Sequence, residues 1–184
     1  MPLRLALALL AFAFFAPSAQ AQFDPTRLAR GTFREYLELL SLPNDSVAPA
    51  DIQKNVEWLE RAFQKRGFTT KQLANAGKPM LYAEWPKKAP GAKTVLFYMH
   101  LDGQPVVPSE WSQKSPWQPV VKKKNAAGAW EVVNTDLLFA DKLDPDLRVF
   151  ARSSSDDKGP IVMFLAAFDG PKEEIGRASC RERV

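Results

Sequence analysis

Thr94-Val95-Leu96-Phe97-Tyr98-Met99-His100-Leu101-Asp102-Gly103 is the stretch on which the fold turns. Its first six residues are β-branched, aliphatic and aromatic, a run that predicts a buried central strand over 94–99. The run ends on an imidazole, then a carboxylate two residues on, then a glycine that lets the chain turn away. Strand ends of this kind deliver reactive side chains in α/β enzymes, so His100 and Asp102 are candidates for chemistry. His100 is the one histidine of the chain, so any imidazole chemistry must pass through it. A second segment of the same form follows, in which a short strand over Arg148–Ala151 leads into Ser153-Ser154-Ser155-Asp156-Asp157-Lys158-Gly159 and then a helix-like run. Two strand ends, one carrying His-x-Asp and the other Asp-Asp, suggest one shared metal-binding cleft.

The rest of the chain reads as support for those two ends. Asp24-Pro25 caps and opens a predicted helix that runs toward Leu40, with Phe33, Tyr36, Leu37, Leu39 and Leu40 as its apolar face. Leu42-Pro43-Asn44-Asp45 stops it. A second predicted helix has Ile52, Val56, Leu59 and Phe63 at helical spacing and ends at Gly67; both helices are read as scaffold. Strands are predicted at Phe68–Leu73 and Met80–Trp85, joined by the turn chemistry of Asn75-Ala76-Gly77-Lys78. Lys87 and Lys88 read as solvated loop charges. Val120–Lys122 and Trp130–Val133 read as short strands, and Trp111 and Trp117 as side chains packing a loop on the body. The last helix is placed with Pro160 at its first position and Ile161, Phe164, Leu165 and Phe168 on its buried face.

The 184 residues suffice for one domain, but both ends distort the composition. Residues 1–21 have Arg4, an apolar run from Leu5 to Ala16, and a closing Ala19-Gln20-Ala21, the pattern of an export signal cleaved after Ala21. A secreted or periplasmic location follows. The other end, Glu174 to Val184, is encodable by a string that resembles a common short-read sequencing adapter. The natural coding sequence is therefore expected to end near Glu174, with 175–184 a non-native tail and 22–174 a partial catalytic domain. Arg4, together with Arg177, Arg181 and Arg183 offset by Glu182, accounts for three of the four net positive charges. The basic balance is thus no sign of nucleic-acid binding, nor of membrane binding once the signal is removed. Cys180, the single cysteine, lies in the same tail, which excludes disulfides and cysteine catalysis from the remainder.

Neutral imidazole and carboxylate are ligands for Zn²⁺, and one carboxylate can bridge two cations. Asp102, two residues from His100 in an extended chain, is better placed to hold the imidazole in its ligating tautomer than to share its metal. His100-Leu101-Asp102-Gly103-Gln104-Pro105-Val106, with Trp111 and Pro116-Trp117 after it, and then Arg152 through Pro160, resemble the paired signatures of the M20 metallopeptidases. The Gln-Pro and Asp-Asp-Lys-Gly-Pro details are most similar to the carnosinase-type dipeptidase branch, and the likeness covers roughly Asp24 to Gly170.

The resemblance implies an α/β fold, the N-terminal part of a zinc-peptidase-like catalytic domain with a mixed β-sheet flanked by helices. It implies a hydrolase of amide or peptide bonds in dipeptides or short peptides, acting through water activated by two zinc ions, with other divalent metals able to substitute. His100 would bind one metal, Asp156 would bridge both, and Asp102 would serve catalysis by orienting His100. Asp157, Lys158 and Gly159 are assigned to loop shape and helix start. The family's general-base Glu, its further ligands and its last histidine lie far downstream, so the chain is expected to be an incomplete and inactive fragment. Glu173 and Glu174 are read as an accidental likeness to the base segment. The expected partners are a small peptide or an N-acyl amino acid, and in the intact protein a second copy as a homodimer. Two other readings stand beside this one. They are an aminoacylase or deacetylase of the same superfamily, and a non-catalytic secreted binding protein with Trp111, Trp117 and Trp130 as an aromatic ligand face.

Overall fold

Asp24 accepts hydrogen bonds from the backbone N–H groups of Thr26 and Arg27 and so caps the first helix, α1 (Pro25–Leu40). The structure, a computed structural model, describes residues 24–75, 77–86 and 90–181, with side chains through residue 170. Residues 1–21, read as an export signal, lie outside the described residues, as do Lys87, Lys88 and residues 182–184 and the side chains of Glu173, Glu174 and Cys180. α2 (Pro49–Lys65) begins on a proline at N1 and buries Ile52, Val56, Leu59 and Phe63, the four positions of its apolar stripe. The third helix, α3 (Lys158–Arg181), starts two residues before the Pro160 expected to open it. Ser153 accepts from the Lys158 N–H at 3.2 Å and Asp157 from that of Ile161 at 3.2 Å, so the first turn closes around Pro160. There the missing proline donor costs nothing. No helix of the described residues is long and apolar enough to cross a membrane.

The main core forms where the three helices meet. Leu39 of α1, Trp58, Leu59, Ala62 and Phe63 of α2, and Ile161, Val162 and Leu165 of α3 make one buried cluster. Each fully buried Leu or Phe contributes about 1.5–3 kcal/mol of transfer free energy, which is why the helix packing dominates the fold. One polar device pins the same three helices. The buried Arg66 guanidinium, just past α2, pairs with Glu35 of α1 at 2.6 Å and Asp169 of α3 at 2.7 Å. Burial opposes ionisation of Glu35, yet the hydrogen bonds and charges of Arg66 and Lys65 hold its carboxyl below the ordinary value of 4.5.

The strands form two separate antiparallel sheets. β1 (Thr69–Leu73) pairs with β2 (Met80–Glu84) in the register Thr69–Glu84 to Leu73–Met80. The turn between them carries Gly77 at φ 82°, the left-handed conformation glycine adopts without strain. β3 (Val120–Lys124) is the centre of the second sheet, flanked by β4 (Trp130–Val133) and β5 (Arg148–Phe150). Val121 of β3 is fully buried with Leu138 and Leu147, and Phe33 and Leu37 of α1 pack on that cluster.

The chain is therefore mixed α and β, but two expectations are corrected. The sheets are both antiparallel, and no mixed sheet forms among the described residues. The buried central strand predicted over 94–99 is also absent. Residues 92–100 belong to no strand, and Val95, Leu96, Phe97 and Tyr98 are 71, 83, 60 and 85% exposed. β-propensity supplies only a preference for extended backbone; a strand needs a neighbour to take its N–H and C=O groups. β1, β2, β4 and β5 each keep an outer edge, yet the segment is laddered to none of them.

Candidate functional site

Although segment 94–98 is unpaired, its far end is held. Asn44, in the connector between α1 and α2, is fully buried and donates from Nδ2 to the Leu101 carbonyl at 2.7 Å and to Ser153 Oγ at 2.9 Å. The Asn44 backbone carbonyl accepts from the Gly103 N–H at 2.7 Å, and the Gly103 carbonyl accepts from the Ser46 N–H at 2.8 Å. A single side chain thereby ties the His-x-Asp-Gly turn to the serine loop. Gly103 is needed at that junction, since a Cβ there would lie 2.8 Å from Ser153 Oγ and 3.2 Å from Asn44 Nδ2.

The serine loop is fastened from the other side as well. Ser153 is buried with φ 60°, an unusual conformation for a residue with a Cβ, and is kept there by its bond to Asn44. Tyr36 of α1 donates to the Ser154 carbonyl at 2.6 Å. Burial pushes the Tyr36 phenol up to about 12, so it remains a donor across the physiological range. Gly159 lies so close to the Ser154 carbonyl that a Cβ would stand 2.3 Å from that oxygen. Lys158 is fully buried and donates from Nζ to the carbonyls of Leu39 at 2.8 Å and Leu42 at 2.6 Å. Burial lowers its ammonium to about 7.

These ties bring the two predicted segments together. His100 Nε2 lies 2.9 Å from Asp156 Oδ1. On the other side of the ring, Nδ1 is 3.3 Å from Asp102 Oδ1 and 3.2 Å from the Asp102 carbonyl oxygen. Without a cation the 2.9 Å approach is that of an Nε2–H donating to the Asp156 carboxylate; with the ring neutral and its Nδ1 proton donated to Asp102, the Nε2 lone pair would be left for a ligand on the Asp156 side. Burial works against protonation of His100, but the Asp102 carbonyl and the carboxylates of Asp157, Asp102 and Asp156 together raise its pKa above 6.5. The ring and Asp156 are both open to solvent, at 41 and 85% side-chain exposure, so an ion could reach them.

Sequence reasoning picked out His100, Asp102 and Asp156, and these three stand in one cluster. It missed a direct role for Asp157, whose Oδ2 accepts the His100 backbone N–H at 3.2 Å and so links the two segments beside the ring. It also passed over Asn44 as a helix stop. The single signal was an amide next to a proline at a helix end, which is common in turns and says nothing about a partner far along the chain. The three tryptophans offered as a ligand face do not stack on one another among the described residues; Trp130 packs edge-on against Phe150 at 5.2 Å.

The donor set fits a divalent cation in part. One imidazole nitrogen and one carboxylate oxygen at contact distance, with a second carboxylate behind the far ring nitrogen, are the groups zinc takes and the support it needs. Two donors are half of a tetrahedral set, and no group of three or more His, Cys, Asp or Glu able to hold a metal occurs among the described residues. No family model matches the chain, and no curated protein matches it.

Proposed function

We propose that the chain is part of an exported metal-dependent hydrolase of amide or peptide bonds, of the M20 type, acting on dipeptides or other short peptides. The observation that carries this reading is the 2.9 Å approach of His100 Nε2 to Asp156 Oδ1, made by two motifs that lie far apart in the sequence. Neither a core histidine nor a capping aspartate needs that meeting, since both groups are solvent-exposed. His100 and Asp156 would hold the cation, and Asp102 would keep the imidazole in its ligating tautomer from behind. Zinc, when bound, supplies Lewis acidity toward a carbonyl and toward water. The oxygen of Asp156 that does not face His100 is free to take a second cation, and Asp157 keeps the His100 backbone in register with the loop. The remaining ligands and the general base are assigned to groups other than these four.

Titration of the full chain with Zn²⁺, followed by calorimetry, tests the reading together with a dipeptide hydrolysis assay. Weak zinc binding that disappears in His100→Ala and in Asp156→Ala, without turnover, is the expected result. Zinc binding that is indifferent to both substitutions would overturn it.

A further inference from the structure

The connector between α1 and α2 lies between both site segments and touches each through side chains that the metal reading does not use. Lys158 follows Asp156 by two residues, yet its side chain leaves α3 altogether and ends on the carbonyls of Leu39 and Leu42. A cation at the first position of α3 opposes that helix's dipole. Turned instead toward the end of α1, it adds a donor to the Leu39 carbonyl, which also accepts from the Leu42 N–H, and bonds the Leu42 carbonyl of the connector. Two residues beyond Leu42, Asn44 reaches the carbonyl next to His100. Asn55 of α2 clamps the piece in between, donating to the Pro43 carbonyl at 2.6 Å. A path of short hydrogen bonds and one stretch of backbone thus leads from Lys158 to Leu42, along the chain to Asn44, and on to Leu101, the residue after His100.

We propose that Lys158 and Asn44 are positioning residues that set the separation between His100 and Asp156 by holding the α1–α2 connector as a spacer between their two loops. This rests on the metal-holding reading of that pair for its functional meaning, but the mechanical claim is independent of any ion. Among the described residues, the direct polar contacts between the loops are the solvent-exposed 2.9 Å approach itself and the part-buried 3.2 Å bond to Asp157. Neither is fully buried, whereas Lys158 and Asn44 both are. The enclosed bonds, which water does not replace, are therefore the ones that define the geometry.

The test uses the full chain and two readouts. Zn²⁺ alone is titrated into wild type, Lys158→Met, Lys158→Arg and Asn44→Ser, and hydrogen exchange of the Gly103 amide is followed in the metal-free protein. Lys158→Met, which keeps length but has no donor, is expected to weaken zinc about tenfold or more, the loss typical of a supporting contact behind a ligand. Protection of the Gly103 amide, which donates to Asn44, should fall about tenfold as well, while the core amides of α2 keep theirs. Lys158→Arg should restore both, and Asn44→Ser, which reads the same link if Lys158→Met does not fold, should reproduce the Met phenotype. Unchanged zinc affinity and Gly103 protection in both Lys158→Met and Asn44→Ser would overturn the proposal. So would a uniform loss of protection that Lys158→Arg does not rescue, because that is the behaviour of a merely structural lysine. A wild type that takes no zinc would sink the metal reading alone, and the exchange data would then decide the spacer.

Discussion

Two stretches that lead to the same site are built in opposite ways. Residues 94–98 are almost wholly apolar and yet stand exposed with no strand partner, whereas residues 152–159 are almost wholly polar and yet include the buried Ser153, Lys158 and Gly159. Composition alone ranks them the other way round. The difference is one of partners. An extended apolar segment is stabilised only by a neighbouring strand and a covering layer, both of which are non-local. The serine loop draws on single atoms already present on α1 and the connector: the Tyr36 hydroxyl, the Asn44 amide and the carbonyls of Leu39 and Leu42. Order at this site thus comes from the loop side and is passed to His100 through Asn44 and Asp157.

If that asymmetry is real, substitutions in the loop should cost far more than substitutions in the extended segment. The largest effect is expected for Gly159→Ala. Its Cβ would meet a backbone oxygen at 2.3 Å, so the loop must move, with a loss of about 3 kcal/mol by chemical denaturation and disruption of the Ser154–Tyr36 bond. Tyr36→Phe removes one short bond to the loop without changing its shape. It should cost about 1 kcal/mol and leave helix content by circular dichroism unaltered.

Acid sharpens the comparison from beneath the loop. Because Glu35 titrates lower in the folded protein than its ordinary 4.5, its contribution is fully present above that value and is lost as pH falls through the folded value. Stability followed by urea denaturation should therefore decline below about pH 4.5, and in Glu35→Gln this part of the decline should vanish. The smallest effect is expected for Leu96→Ser in the extended segment. At 83% exposure, loss of its side chain should change stability by less than about 0.5 kcal/mol. A loss of about 2 kcal/mol or more would mean that the segment is packed, and the contrast between the two stretches would fail.

The helices were legible because their signals are local. Asp24 caps α1, the stripe Ile52–Val56–Leu59–Phe63 is buried, and Ile161 and Leu165 face the core, all as spacing and capping chemistry require. The hairpin of β1 and β2 was legible for the same reason, its turn lying between two strands that need no third. The start of α3 was displaced to Lys158 because a proline within the first turn is as compatible with a helix as one at its first position.

Sequence by itself determined which side chains could do chemistry: a lone histidine, a carboxylate two residues on, and a pair of aspartates after a serine run. Residue type limits ligand chemistry before any folding is considered. Tertiary structure alone decided that His100 and Asp156 meet, that Asp157 joins them, and that Asn44 and Lys158 hold the connector between them. It also decided that the most strand-like run in the chain is not a strand. The physical reason is common to both outcomes: buried hydrogen bonds and β ladders are made between residues distant along the chain, and no pattern confined to one segment encodes whether its partner arrives.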